Sequence, residues 1–493
     1  MDELIPLSQA TLHQLPEAVR RPSYDRAQLS PGIVHIGLGN FHRAHQAWYL
    51  HRLMNEGLAQ DWAIIGAGIR PNDAAMRAKL LDQDCLTTLI ELGPDRISAE
   101  IVGAMIGFVE VETGNAALIA RMADPAIRIV SLTVTEGGYY IDSTTKVFES
   151  DHPDIVHDAA YPDTPRTAFG AIVAALRLRR ARDIGPFTCM SCDNLQSNGA
   201  ILRQAVVTLA RLSDPALADW IDAECSFPNA MVDCIVPATG PDEISKAEGF
   251  GICDAAPVTH EPFRQWVIED KFCAGRPDWA RVGVQFTQDV HGYEAQKLRI
   301  LNAGHQVIGN VAEIMGIGTV AQAMTHPQIY ALFRKVQMTE IVPHVVPVPG
   351  MTPEQYVDLI AQRFSNPSIH DTIRRVAFDG SARHPGFVLP SLRDALATGA
   401  PMEGLALVEA FWARMCAGTR EDGSMIAPND PHWSTLSRIA QHACERPAAW
   451  LEQHPIYGDL GAHDAFRNNF ARWLKLIWAQ GSLAALRAYT GVR

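Results

Sequence analysis

Nine consecutive residues just past the midpoint carry the most chemistry: Lys297-Leu298-Arg299-Ile300-Leu301-Asn302-Ala303-Gly304-His305. They bring an amine, a carboxamide and an imidazole into one short stretch. Glu294, Ala295 and Gln296 before them are strong helix formers and no proline interrupts, so the segment is predicted as α-helix. At about 100° per residue, Lys297, Leu301 and His305 share a face, with Asn302 beside His305 at i+3. An amine buried on such a helix is disfavoured as a cation and accepts a proton near neutral pH. The same residues also read as a snorkelling lysine, a surface amide and a satisfied core histidine. The rest of the chain decides between these readings.

Ile33-Val34-His35-Ile36 is a short β-branched run that ends at Gly37-Leu38-Gly39-Asn40-Phe41-His42. A helix pattern through Ala44, Ala47, Leu50 and Leu53 follows. Strand, glycine turn and helix form the context of a dinucleotide site. Gly37 permits the turn, and Gly39 lets the backbone approach a pyrophosphate at the helix N-terminus. His42 stands where a third glycine is usual, so the turn alone also fits an ordinary β-α connection. A second strand is expected at Trp62-Ala63-Ile64-Ile65. Asp73 beyond it either binds ribose hydroxyls, favouring NAD over NADP, or caps the helix starting at Ala74.

Ile127 to Val134 reads as a buried parallel strand running into Thr135-Glu136-Gly137-Gly138, which fits a cofactor cleft or any tight turn. A helix over 167–183 leads to a strand at Phe187 to Met190 and then to Asn194. Asn194 is placed at the carboxyl end of a strand, where ligands sit, or caps a helix expected over 200–212. Residues 1–30 read as an arm before the first strand. Strands alternating with helices predict a doubly wound, Rossmann-like α/β domain over residues 1–287. Helical periods dominate afterwards, predicting a mainly α-helical domain over 288–493.

A chain of 493 residues is too long for one core. Its net charge of -13 argues against nucleic acid or anionic membrane as partner. No apolar run reaches transmembrane length, and Met-Asp-Glu-Leu lacks the start of a signal peptide, so a cytoplasmic protein is expected. Nine scattered cysteines read as reduced thiols. Cys189 and Cys192 form a C-x-x-C with no second pair at zinc-ribbon spacing, so no metal is expected.

Several blocks, in order, resemble the polyol-specific long-chain dehydrogenases, the family of mannitol 2-dehydrogenase and fructuronate reductase. They are GIVHIGLGNFHRAHQA (32–47), SLTVTEGGYY (131–140), MSCDNLQSNG (190–199), FPNAMVD (227–233), KFCAGRPDWARVGVQF (271–286) and KLRILNAGH (297–305). The family's turn is Gly-x-Gly-x-Phe-x-Arg, matched by Gly37, Gly39, Phe41 and Arg43 with Asn40 between, so a third glycine is not required.

The resemblance implies a zinc-free site. Lys297 is then the general base, Asn194 and Asn302 are oxyanion donors, His305 orients the sugar oxygen, and Glu294 relays the proton. Arg375, Arg383 and Asp233 match positions lining the polyol site, and Asp73, Thr135 and Glu136 are expected at the cofactor. Two departures stand out. Cys234 replaces an arginine after the aspartate, and Asn72 replaces a glutamate before Asp73, which excludes NADP less strongly.

The implied activity is NAD-dependent oxidation of D-mannitol to D-fructose, with D-arabinitol and D-sorbitol as further substrates, by a monomer. One alternative is a fructuronate or tagaturonate reductase, whose substrate carboxylate would use Arg375 and Arg383. Another is a non-catalytic nucleotide-binding protein. A third, a zinc alcohol dehydrogenase, would use His42 and His45 or the C-x-x-C pair.

Overall fold

Ile33, Val34 and Ile36 are fully buried in the strand Pro31–Ile36 (β1) of the computed structural model, which describes residues 4–142 and 147–492. The chain divides into two compact units, one ending at His291 and the other beginning at Gly292.

In the first unit β1 is the middle of a five-stranded sheet. Its companions are Ala63–Ala67 (β2), Met105–Phe108 (β3), Ile129–Leu132 (β4) and Thr188–Ser191 (β5). All pairings are parallel, in the spatial order β3-β2-β1-β4-β5. The order reverses between β1 and β4, where a doubly wound sheet opens a crevice at its carboxyl edge. Ile33, Ile64 and Ile129 pack into one core, and Val34, Ile65, Val130 and Leu132 into another. Burial on two faces is why these strands read as apolar runs rather than alternating ones. Each such side chain contributes roughly 1.5–3 kcal/mol. The helix expected over 167–183 spans Ala168–Ala181, where Thr167 Oγ1 accepts from Gly170 N at 3.0 Å as a cap.

Residues before β1 are knitted in rather than loose. Ile5–Pro6 pairs with Ile252–Cys253, and Val19–Arg20 pairs with Ala99–Glu100. Two-residue strands are too short to show a period, so the sequence cannot reveal them. A further strand, Ala230–Asp233, runs antiparallel to Gln265–Glu269.

Among the described residues the second unit has helices and only isolated β-bridges. Its helix Glu403–Cys416 is buried from Gly404 through Cys416, and the charged Glu409 within it is paired, accepting from Tyr457 Oη at 2.7 Å. The buried Glu340 carboxylate accepts from Gly404 N and Leu405 N, both at 2.8 Å, and so closes that helix's N-terminus. No described helix is long and apolar enough to cross a membrane.

Candidate active site

Gly37 takes φ +92°, and a Cβ there would lie 2.2 Å from the Thr133 carbonyl oxygen, so only glycine fits. Gly37 N donates to Ala67 O at 3.0 Å, and Thr133 Oγ1 donates to Gly37 O at 2.5 Å. The turn is thereby pinned to the ends of both neighbouring strands. Gly39 is different: nothing lies within 4 Å of a Cβ built there. That open backbone, just before the short helix Asn40–Ala44, fits the close approach of a pyrophosphate.

His42, in the place of the third glycine, is buried and stacks on His35 with centroids 3.4 Å apart. Two rings fill the space that a glycine would leave for strand and helix to touch. His35 bonds Ser131 Oγ at 2.7 Å and Thr133 Oγ1 at 2.8 Å, and burial pushes its pKa down to about 3. Arg43 is also buried. Its guanidinium donates to Gly39 O at 3.4 Å, Asn40 Oδ1 at 2.8 Å and the Ala256 carbonyl. Asn40 Nδ2 in turn donates to Pro237 O and Thr239 Oγ1, both at 2.9 Å. Arg43 and Asn40 therefore brace the turn from behind. Phe41 is half-buried and stacks on His45 at 4.8 Å.

The other first-unit residues sit at or beyond strand ends. Asp73 Oδ2 accepts from Ile69 N and Arg70 N, both at 2.9 Å, closing the loop after β2. Asn72 beside it is exposed and makes no side-chain cap. Thr135 adopts φ +66°, a strained conformation for a β-branched residue. Asp193 holds it there: its carboxylate accepts from Val134 N at 3.0 Å, Thr135 N at 2.9 Å and Tyr139 Oη at 2.8 Å. The backbone of Glu136 follows in the same short turn, and its side chain lies outside what is described. Asn194 is exposed beyond the carboxyl end of β5 and does not cap the next helix, which begins at Asn198 behind Ser197. Asn198 Nδ2 donates to Asp193 O at 3.0 Å and Ala230 O at 2.8 Å. This ties the Asn194 segment to the strand that ends in buried Asp233. Cys234, next in line, is half-buried.

In the second unit the expected α-helix is three pieces. His291–Gln296 is α, Lys297–Asn302 is π, and Ala303–Ile314 is α again. A π turn bonds residue i to i+5 and often marks a functional site. It sets Asn302 one turn on from Lys297, where α register would separate them by about 140°. The shared face expected for Lys297 and Leu301 is corrected accordingly. Lys297 is 8 % exposed and Asn302 9 %; Glu294, one turn earlier, is buried too. Gln337 supports the turn, its Nε2 donating to Ile300 O at 2.9 Å, and it begins a second π segment, Gln337–Ile341. His305 stacks on Phe364 at 4.3 Å, and burial drives its pKa down to about 3, so the ring is neutral. Asp371 Oδ2 lies 3.9 Å from His305 Nε2, and Asp371 also grips Arg375. Arg383 Nη1 donates to the carbonyls of Arg375 and Val376 at 3.0 and 2.9 Å.

Cys189 and Cys192 are buried with thiol pKa values pushed up by burial. Among the described residues, no group of three or more His, Cys, Asp or Glu is placed to hold a metal ion.

Two family models match the chain: the mannitol dehydrogenase Rossmann domain over residues 31–281 and the mannitol dehydrogenase C-terminal domain over 289–478. A mannitol 2-dehydrogenase of Cereibacter sphaeroides is 56 % identical over 472 residues, covering 96 % of this chain and 99 % of that protein. The chain belongs to the mannitol dehydrogenase family. Membership makes it an oxidoreductase of the kind that acts on polyol CH–OH groups. The fungal mannitol 2-dehydrogenase of Pyricularia oryzae is 39 % identical, covering 96 % of each chain. Among solved structures, the Pseudomonas fluorescens mannitol 2-dehydrogenase complex with NAD and D-mannitol superposes with a TM-score of 0.86. It is 39 % identical and covers 99 % of this chain and 100 % of its own. A substrate-free D-sorbitol dehydrogenase gives a TM-score of 0.90 at 32 % identity, covering 97 % of this chain and 100 % of its own. The Rossmann-type unit followed by a helical one is thus the family architecture.

Asp193, Asn198, Gln337 and Asp371 support these positions and escaped the sequence reading. The first two fall inside the quoted block 190–199, which was a usable signal. Gln337 and Asp371 lie far along the chain from what they support, and nothing local marks them.

Proposed function

We propose that this protein is an NAD-dependent polyol 2-dehydrogenase interconverting D-mannitol and D-fructose, with Lys297 as a zinc-independent general base. D-Arabinitol and D-sorbitol are further substrates. The observation that carries this is a buried amine on a π turn with a buried amide one turn on, in a chain of this family.

Oxidising a secondary alcohol removes the hydroxyl proton and a hydride from the same carbon. The Gly37–Gly39 turn would hold the pyrophosphate of a nicotinamide dinucleotide, which when bound would supply the hydride acceptor. The Lys297 amine, 8 % exposed, takes the hydroxyl proton. The amides of Asn302 and Asn194 donate to the oxygen as negative charge develops, each worth roughly 3 kcal/mol. Neutral His305 orients a substrate oxygen, and Glu294 passes the proton on. Arg375, Arg383 and Asp233 bind the remaining hydroxyls. Asp73 reads ribose hydroxyls with its second oxygen, and Thr135 and Glu136 flank the cofactor, favouring NAD over NADP. With an amine as base, polyol oxidation is fastest at alkaline pH and ketose reduction nearer neutrality. A panel of D-mannitol, D-arabinitol, D-sorbitol and D-mannonate, assayed with NAD and with NADP, tests the reading. The highest kcat/KM is expected for mannitol with NAD; a preference for mannonate, or no polyol turnover, overturns it.

A further inference from the structure

Asp371 is 7 % exposed and lies just before the short helix Ile373–Val376. Its two oxygens take Arg375 Nε and Nη2, both at 2.5 Å, a bidentate pair. The Arg375 side chain is 57 % exposed, so its guanidinium reaches out from the buried carboxylate that holds it. The same carboxylate faces His305 at 3.9 Å, and His305 Nε2 makes no hydrogen bond. Arg363 and Arg383 also act on His305 electrostatically, and the Asp371 carboxylate opposes them there.

We propose that Asp371 sets this site for uncharged polyols and against sugar acids, by occupying and neutralising the Arg375 guanidinium. The proposal rests on the polyol reading above. A carboxylate ligand is gripped best by the forked edge of an arginine, two parallel N–H donors to two oxygens. In Arg375 the Nε–Nη2 edge is already filled from within the chain. A substrate carboxylate arriving there meets an anion in place of a vacant fork. A hydroxyl suffers no such conflict: it accepts from a remaining Arg375 N–H or donates to the Asp371 carboxylate. Discrimination of this kind comes from a built-in repulsive element as much as from an attractive one.

The test uses the full chain and measures kcat/KM with NAD for D-mannitol and for D-mannonate, in which one terminal CH2OH is a carboxylate. Asp371→Asn is expected to raise the mannonate-to-mannitol ratio at least tenfold. Adding Arg375→Met to that variant returns the ratio to within threefold of wild type. Asp371→Ser serves if the asparagine variant does not fold. Arg375→Gln alone, which leaves Asp371 intact, lowers both values but keeps their ratio within threefold, because a neutralised guanidinium contributes no charge selectivity. An unchanged or lower ratio in both Asp371 variants overturns the proposal, as does an Arg375→Gln loss confined to mannonate. A wild type that prefers mannonate outright overturns the polyol reading instead, since the Asp371 proposal is judged on the change between variant and wild type.

Discussion

The Gly37–Arg43 turn and the Lys297–Asn302 turn both present polar groups from tightly held backbone, yet they are held in opposite ways. The first follows the rules of a doubly wound sheet. A glycine with φ +92° stands where the strand order reverses, and neighbouring strands pin it. The second departs from the rules of a helix. It adds a residue to the turn, and a distant side chain, Gln337, satisfies a carbonyl of the distorted backbone. A cofactor turn needs only backbone amides and space, which a regular motif supplies. On the proposed function, a base and its amide partner must meet at one atom, and a local break in regularity would set their spacing.

The largest effect that sharpens this contrast is Asn302→Ala, which removes the amide one π turn from Lys297. A loss of about 10²–10³ in kcat is expected, with NADH affinity unchanged by titration. The glycines separate structure from binding within the first turn. Gly37→Ala must move the Thr133 carbonyl and is expected to cost more than about 2 kcal/mol in denaturant unfolding, together with cofactor affinity. Gly39→Ala meets open space, so it weakens NADH binding and leaves stability within about 0.5 kcal/mol. Equal destabilisation by both would break the distinction.

Acid should act unequally on the two units. In the first, burial holds His35 and His260 down to about 3, His42 well below its usual value, and His51 lower than usual. In the second, His305 is held to about 3. Such a group is neutral when folded and protonated once unfolded. The unfolded state therefore binds more protons, and stability falls as pH drops from about 6.5 toward 3. At pH 5 each of the three groups held to about 3 costs about 2 kcal/mol. Protection factors, the intrinsic exchange rate at each pH divided by the observed rate, are expected to fall between pH 7 and 5 first in β1 and β4, before the Ala303–Ile314 helix, and His35→Gln should lessen that loss. The smallest effect is that of Gln337→Leu. It leaves the Ile300 carbonyl without its donor and should lower kcat about fivefold with little change in KM, roughly 1 kcal/mol.

Much of the first unit was legible because burial on both faces writes itself as Ile-Val-His-Ile and Ile-Arg-Ile-Val-Ser-Leu, and because glycine marks the turn. Asp73 and Asn194 were each left between two readings. For Asn194, Ser197 and not Asn194 precedes the helix, so the capping alternative falls away. For Asp73, the helix begins at Asp73 itself, so the capping alternative falls away too, and one carboxylate oxygen instead closes the loop before it. The role of His42 was opaque, since stacking on His35 depends on how helix and strand meet. The π turn was illegible in principle. Reading faces at 100° per residue assumes the α register that the segment abandons, and Gln337 and Asp371 act across long sequence separations. The resemblance, rather than the period, carried Lys297, Asn302 and His305 as a set.

The most direct test of Lys297 as the base is kcat for D-mannitol oxidation by Lys297→Ala, across pH, with and without added primary amine. The expected result is a loss of about 10²–10⁴, intact NADH binding, a lost alkaline rise, and partial rescue that grows with free amine. Wild-type kcat with the alkaline rise preserved in Lys297→Ala would contradict it.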